Sequence, residues 1–172
     1  MPDEIDQEDT RQDISEQPVL AGFRASVLQS NNFSNAISLP LSGTPVVLAT
    51  LTGAQALRLD AGDQVWLTGT IGWQAITNGT GASKVDVIFR VFRHTPVTGP
   101  QVFSTAESAE ASYDNFKTIS FIHVDVNPVF NGPTLVSYFL TAELPLAGSA
   151  AKVIGPIAFA AAKLEPNPKP HC

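Results

Sequence analysis

Residues 85–93 contain the feature that most limits the possible folds, a strict alternation of side chains along a short apolar run. Four apolar side chains fall on one side of an extended segment: Val85, Val87, Phe89 and Val91. A period of two with β-branched and aromatic residues is typical of a strand. A second run, residues 64–73, follows the turn-forming residues 60–63 and is joined to the first through a glycine-containing loop at 78–81. Gly69 and Gly72 inside this run predict a bulge or a close backbone approach, and we expect Trp66 and Trp73 to pack in the core. We therefore predict that a central β-meander, residues 57–93, organises the fold.

The same alternation recurs along the chain. It predicts strands at 19–27, where the odd positions are apolar, and at 118–126, and we expect further strands at 36–41, 45–51 and 135–144. Residues 153–164 are alanine-rich and would suit a helix locally, but Gly155-Pro156 blocks helix initiation and the neighbouring segments are extended, so we predict a strand there too. Residues 101–116 have the weakest pattern, and 105–111 have the composition of one or two helical turns, so we predict a long surface connection there. Many short strands separated by glycine and proline turns predict an all-β fold, an antiparallel jelly-roll-like β-sandwich of about eight to ten strands.

Charge divides the chain into a body and two tails. Residues 1–17 contain seven acidic side chains and one basic one, which leaves nine of each in the rest of the chain. We predict an acidic disordered leader at 1–17, a single domain at 18–165 and a proline-spaced tail at 166–172. A neutral body lacks the basic surface that nucleic acids require, so we expect no nucleic-acid partner.

The ends of the chain bear on the localisation of the protein and on disulfide formation. The first residues show neither a basic start nor an apolar segment, so we expect no secretory signal, and no stretch is long enough to predict membrane insertion. The single cysteine, Cys172, is the last residue. It cannot form an intrachain disulfide. It either forms an intermolecular disulfide or is a terminal residue without a specific role.

No motif in the sequence points to catalysis. The three histidines, His94, His123 and His171, are far apart and form no metal-ligand pattern. There is no nucleophile elbow and no glycine-rich phosphate loop before a helix. We therefore predict a protein that is not an enzyme, with no catalytic residues, no cofactor and no metal site.

Three segments resemble known jelly-roll domains. GFRASV at 22–27 resembles the opening strand of tumour necrosis factor and complement globular-head domains, and IAFAAAKL at 157–164 resembles their closing strand. The turn at 59–62 is similar to the one that precedes their long central strand, although Asp63 stands where an aromatic residue usually follows. No collagen-like Gly-x-y segment precedes the domain.

Bacterial proteins of that fold, the ends of exosporium filaments and the subunits of endospore appendages, are similar in composition. The resemblance implies a self-assembling structural protein, a trimer or a fibre, made in the cytoplasm and assembled on a spore or cell surface, with other surface-layer proteins as further partners. Appendage subunits cross-link through several cysteines, whereas only Cys172 is available here.

Self-association is also expected from the residues themselves, because residues 85–93 carry large apolar side chains on both faces. We predict an oligomer interface formed by Ile88, Phe92, Tyr138, Phe139 and Leu140. Two alternatives stay open. One is a ligand- or glycan-binding module that uses the loops at 31–35, 78–83 and 101–115, and the other is a viral or phage capsid or fibre domain.

Overall fold

A computed structural model describes residues 18–28, 36–40, 44–76, 84–126, 128, 132–145 and 149–166. The leader at 1–17, Cys172 and the loop at 78–81 lie outside the described residues. The described chain forms eleven strands and one short 3-10 helix, Gly53–Gln55. The strands are β1 (Val19–Leu28), β2 (Ile37–Ser38), β3 (Val46–Leu51), β4 (Leu57–Leu59), β5 (Gln64–Ile76), β6 (Lys84–Arg93), β7 (Gln101–Glu110), β8 (Phe116–Asp125), β9 (Thr134–Val136), β10 (Tyr138–Glu143) and β11 (Ala150–Glu165).

The strands form two main antiparallel sheets that pack face to face. The first has the order β1-β11-β5-β8, with β2 also paired to β11, and the second has the order β3-β10-β6-β7. A small third sheet pairs β4 with β9. Side chains with little or no exposure fill the space between the two main sheets, the largest being Trp73, Phe89, Tyr138 and Phe159. The predicted all-β, jelly-roll-like sandwich is thus confirmed.

The predicted central meander is wrong in its pairing. Strands β5 and β6 do form where the alternation predicts them, but they belong to different sheets. Strand β5 lies between β11 and β8, and β6 lies between β10 and β7. Each strand buries one apolar face against the other sheet.

The predicted surface connection at 101–116 is also wrong. Strand β7 covers most of it and pairs with β6 from Lys84 opposite Glu110 to Phe92 opposite Gln101. Alternate side chains of β7 turn inward, and the Phe103 ring stacks on Phe121 of the first sheet at a centroid distance of 4.6 Å. Pairing to β6 and burial of this face outweigh the helical preference of its alanines and glutamates.

Two glycines of β5 allow close packing, as predicted from their place inside a strand. A side chain at Gly69 would overlap the Phe121 ring, and one at Gly72 would overlap the carbonyl oxygen of Gly155 in β11. The second position faces a register shift in β11 between Val153 and Ile157. These glycines let β5 stay paired with both of its neighbours.

The loop after β6 is held in a strained conformation. His94 and Val97 both have positive φ, 70° and 66°, and the amide nitrogens of Thr95 and Thr98 each donate to the carbonyl oxygen two residues earlier. This is the hydrogen-bond pattern of a γ-turn with positive φ, which is rare. A β-branched residue such as Val97 is especially unfavourable there, because its Cβ crowds the backbone.

We predict that Val97→Gly raises the free energy of unfolding by about 1 kcal/mol, because glycine adopts positive φ without this cost and Val97 lies in an exposed loop. Urea unfolding measures the change. In the same loop, Gly99→Ala is the matched control and should destabilise by about 2 kcal/mol or more, because its Cβ would overlap the Arg93 carbonyl oxygen. Destabilisation by Val97→Gly would contradict the assignment of strain.

Candidate functional site

The outer face of the first sheet is the most unusual surface of the described chain. Residues directly opposite in an antiparallel pair point to the same face, so the register defines what this surface contains. Three complete rows cross all four strands: Phe23, Ala162, Trp66 and Val124; then Ala25, Ala160, Thr68 and Ile122; then Val27, Ala158, Thr70 and Ser120. We call these twelve residues the apolar face, because nine of them are apolar and none is charged.

Large side chains of the apolar face are exposed. The exposed fraction is 59% for Phe23, 71% for Val27, 42% for Trp66 and 69% for Ile122. The hydroxyl oxygens of Thr70 and Ser120 lie 3.0 Å apart, within hydrogen-bonding distance of each other. Large exposed apolar patches are candidates for interaction surfaces.

One side of β1 faces away from the core although its residues are apolar. The odd residues of β1 are apolar, as predicted, but this side of the strand points outward, and the inward side carries Arg24 opposite Ala161. The strand is at the edge of the sheet and pairs only with β11 among the described strands. Trp66 likewise lies on the outer face, whereas the other tryptophan, Trp73, is fully buried as predicted.

The outer face of the second sheet differs in character. It carries an ion pair between Arg90 and Glu143, and a second between Lys84 and Asp86 at 3.4 Å. The Ser108 hydroxyl also donates to Asp86 at 2.5 Å, which lowers the pKa of that carboxyl group. Charged groups therefore divide this surface into small apolar parts.

The interface residues predicted from the sequence divide between this surface and the core. Phe139 and Phe92 lie opposite each other on the outer face of the second sheet, with Ile88 on the same face. Phe92 is buried, and Ile88 and Phe139 are partly buried. Tyr138 and Leu140 point inward and are fully buried within one chain, so their side chains belong to the core rather than to a surface.

One buried polar network links the two sheets. The Tyr138 hydroxyl donates to the Asp125 carboxylate at 3.0 Å, and Arg93 lies 3.4 Å from the same oxygen. Burial, together with the neighbouring carboxylate, raises the pKa of Tyr138 above its usual value. The carboxylate of Asp125 is thus engaged by a tyrosine and an arginine from the opposite sheet, as expected for a structural contact.

A second polar cluster ties β11 to the turn before β5. The Lys163 ammonium lies 3.0 Å from Asp63, 3.5 Å from Asp60 and 2.8 Å from Glu165. Asp63 also accepts a hydrogen bond from the amide nitrogen of Asp60 at 2.7 Å. The hydrogen bond to Glu165, followed by that to Asp63, raises the pKa of Lys163. Asp63, which replaces the usual aromatic residue, therefore closes the turn and pairs with β11.

We predict that Lys163→Met lowers the free energy of unfolding at neutral pH by about 1–3 kcal/mol, because it leaves the buried Asp63 carboxylate without its cation. Folding raises the pKa of Lys163, so its stabilisation is fully present below pH 10.5 and is lost as the pH rises further. Urea unfolding at several pH values measures both effects. The same change at the exposed Lys152 is the control, and an equal loss there would contradict the role of the cluster.

Within the described ranges, no group of three or more His, Cys, Asp or Glu side chains is placed to hold a metal ion. Those ranges also contain no helix with the length and apolar character to cross a membrane. The apolar face is the candidate site because its large apolar side chains are exposed in uncharged rows.

Comparison with known proteins yields matches in structure alone. No protein-family model matches the sequence, and no curated protein matches it significantly. Among solved structures, Eiger TNF from S. frugiperda is similar over 91% of this chain and 94% of its own length, at 11% identity and a TM-score of 0.38.

Two further matches are parts of larger proteins. Infectious bursal disease virus strain Gx is similar over 87% of this chain, at 14% identity and a TM-score of 0.40, and an arabinose-bound α-L-arabinofuranosidase is similar over 87%, at 11% identity and a TM-score of 0.40. This chain spans only 43% of the viral chain and 23% of the arabinofuranosidase. All three TM-scores are low, so the assignment of the fold rests on the strands and sheets of this chain itself.

Proposed function

We propose that this protein is a non-enzymatic structural module that associates with copies of itself through the apolar face. The observation that carries the proposal is the set of three uncharged rows across β1, β11, β5 and β8, with Phe23, Val27 and Ile122 largely exposed. Removing such a surface from water is favourable by about 25 cal/mol per Å² of apolar area. A second copy presents an identical surface and adds no uncompensated charge.

The biological setting that we propose is a layer, filament or appendage on a bacterial surface, in particular a spore surface. The resemblance of segments 22–27 and 157–164 to tumour necrosis factor and complement globular-head domains, and the composition shared with bacterial proteins of that fold, support it. Other copies of the chain are then the main partners, and assembly follows synthesis in the cytoplasm. The resemblance predicts three copies, and the apolar face by itself is compatible with two or three.

We expect Ile122→Arg to dissociate the oligomer, because an arginine in this surface would be buried without a partner charge at a cost of several kcal/mol. Such a cost weakens association by two to three orders of magnitude or more. The absolute mass from light scattering after size exclusion, over a range of protein concentrations and with and without reductant, measures it. A wild-type monomer at high concentration would refute the proposal.

Two control variants make this experiment specific. Leu135 of β9 is 66% exposed, close to the 69% of Ile122, and lies on a different sheet, so Leu135→Arg should leave the mass unchanged. Ile88→Arg changes the surface predicted from the sequence. If Ile88→Arg dissociates the oligomer and Ile122→Arg does not, the interface lies on the second sheet instead.

Trp66 should report association directly. We expect acrylamide to quench its fluorescence in dilute protein and the quenching to decrease as the oligomer forms, because Trp66 lies in the apolar face. The buried Trp73 should remain protected at all concentrations. The variant Trp66→Phe, in which Trp73 alone fluoresces, is the control and should show no concentration dependence. Quenching of wild-type protein that stays constant while the mass rises would place the contact elsewhere.

One observation favours a second candidate function, a module that binds an apolar ligand. A groove of about 180 Å³ in the apolar face lies between Phe23 and Trp66 and is lined almost entirely by apolar side chains. A saturable shift of Trp66 fluorescence by an apolar ligand, in a chain that remains monomeric, would favour this function over self-association.

A further inference from the structure

The groove in the apolar face follows from small residues in β11. Ala158, Ala160 and Ala162 present only methyl groups outward, while Phe23 of β1 and Trp66 of β5 rise on either side. A second depression of about 240 Å³ continues along β11 towards Val27, and Ala160 contributes to both. The face is therefore grooved along β11 rather than flat.

The same face carries a projecting side chain. Ile122 of β8 is 69% exposed and lies in the row that also contains Thr68 of β5 and Ala160 of β11. Strand β5 separates β8 from β11, so this projection lies two strand spacings, about 10 Å, from the groove. Ile122 and Ala160, which lines the groove, thus occupy one row, on either side of Thr68.

This arrangement is complementary to itself. A two-fold axis that runs parallel to the strands, above Thr68 of β5, exchanges the positions of β8 and β11 between two facing copies. Because Ile122 and Ala160 belong to the same row, the rotation places Ile122 of each copy over the groove of the other. Thr68 of the two copies then face each other at the axis.

Resting on the proposed function, we infer that two copies pair face to face about this axis, with Ile122 of each lying over Ala160 of the other, where the two depressions meet. An apolar cavity of about 150 Å³ holds a benzene molecule, so a groove of about 180 Å³ accommodates the isoleucine side chain. The lining residues carry no charge that would need a partner.

The area of the contact is that of a reversible dimer. Under this rotation β11, β5 and β8 of the two copies overlap, and over eight residues of each strand they span about 400 Å² per copy in projection, before the relief of the side chains is added. A standard interface buries about 800 Å² per partner. We therefore expect a reversible dimer with a dissociation constant on the order of micromolar.

Cross-linking tests the pairing in the full chain. In a Cys172→Ser background, Thr68→Cys should cross-link to itself through a short bis-maleimide linker, because facing sheets lie about 10 Å apart. Ile122→Cys and Ala160→Cys should each cross-link little alone and at least tenfold more when mixed. Ser104→Cys, on the outer face of the second sheet, is the control and should not cross-link.

Shape complementarity is tested separately by changing the groove and the projection together. Ala160→Leu fills the groove and should weaken association at least tenfold, and adding Ile122→Ala in the same chain should restore part of it. Light scattering measures both variants. Equal weakening by the single and double variants would overturn the insertion of Ile122.

The mass and the cross-linking pattern together separate the two-fold pairing from self-association in general. A trimeric mass, or an oligomer in which Ile122→Cys cross-links mainly to itself, overturns the two-fold pairing and leaves self-association through the apolar face intact. A wild-type chain that stays monomeric overturns both. A dimer with efficient Thr68→Cys and mixed Ile122→Cys with Ala160→Cys cross-linking supports the inference.

Discussion

The pairing of β11 along both of its edges is the contact on which the rest of the structure depends. It is hydrogen-bonded to β1 and β2 on one side and to β5 on the other. Its inward residues, including Ile157 and Phe159, fill the core, whereas its outward residues at 158, 160 and 162 are all alanine. One strand thus sets the order of the first sheet, supplies part of the core and leaves a shallow trough on the outside.

Polar contacts at particular positions hold the two layers in this arrangement. Asp125 of the first sheet receives the Tyr138 hydroxyl of the second, and Lys163 of β11 holds the turn that contains Asp63. Buried polar groups are costly unless they are paired, so such contacts favour one register over its neighbours. These carboxylates already have partners within one chain. The apolar face is the surface whose composition the fold of a single chain does not explain.

Several features were predictable because they follow from local chemistry. The alternation in β5, β6 and β8 predicted strands that the structure contains. Gly155-Pro156 and the extended neighbours predicted β11 against the helical preference of its alanines. The glycines of β5 were expected to mark close approach, which Gly69 and Gly72 confirm. Strand β7 was missed because its serines, alanines and glutamates carry a weak pattern, and its pairing with β6 provides what local propensity does not.

The sequence by itself determined the all-β character, the positions of most strands and the uncharged, apolar nature of one side of β1. Tertiary structure alone decided that β5 and β6 lie in different sheets, that this side of β1 faces outward and that Trp66 and Ile122 share a surface with it. The physical reason is that alternation specifies two faces of a strand without specifying which one meets the core. That choice depends on partners far away in the sequence, through the pairing of β1 with β11 and of β11 with β5.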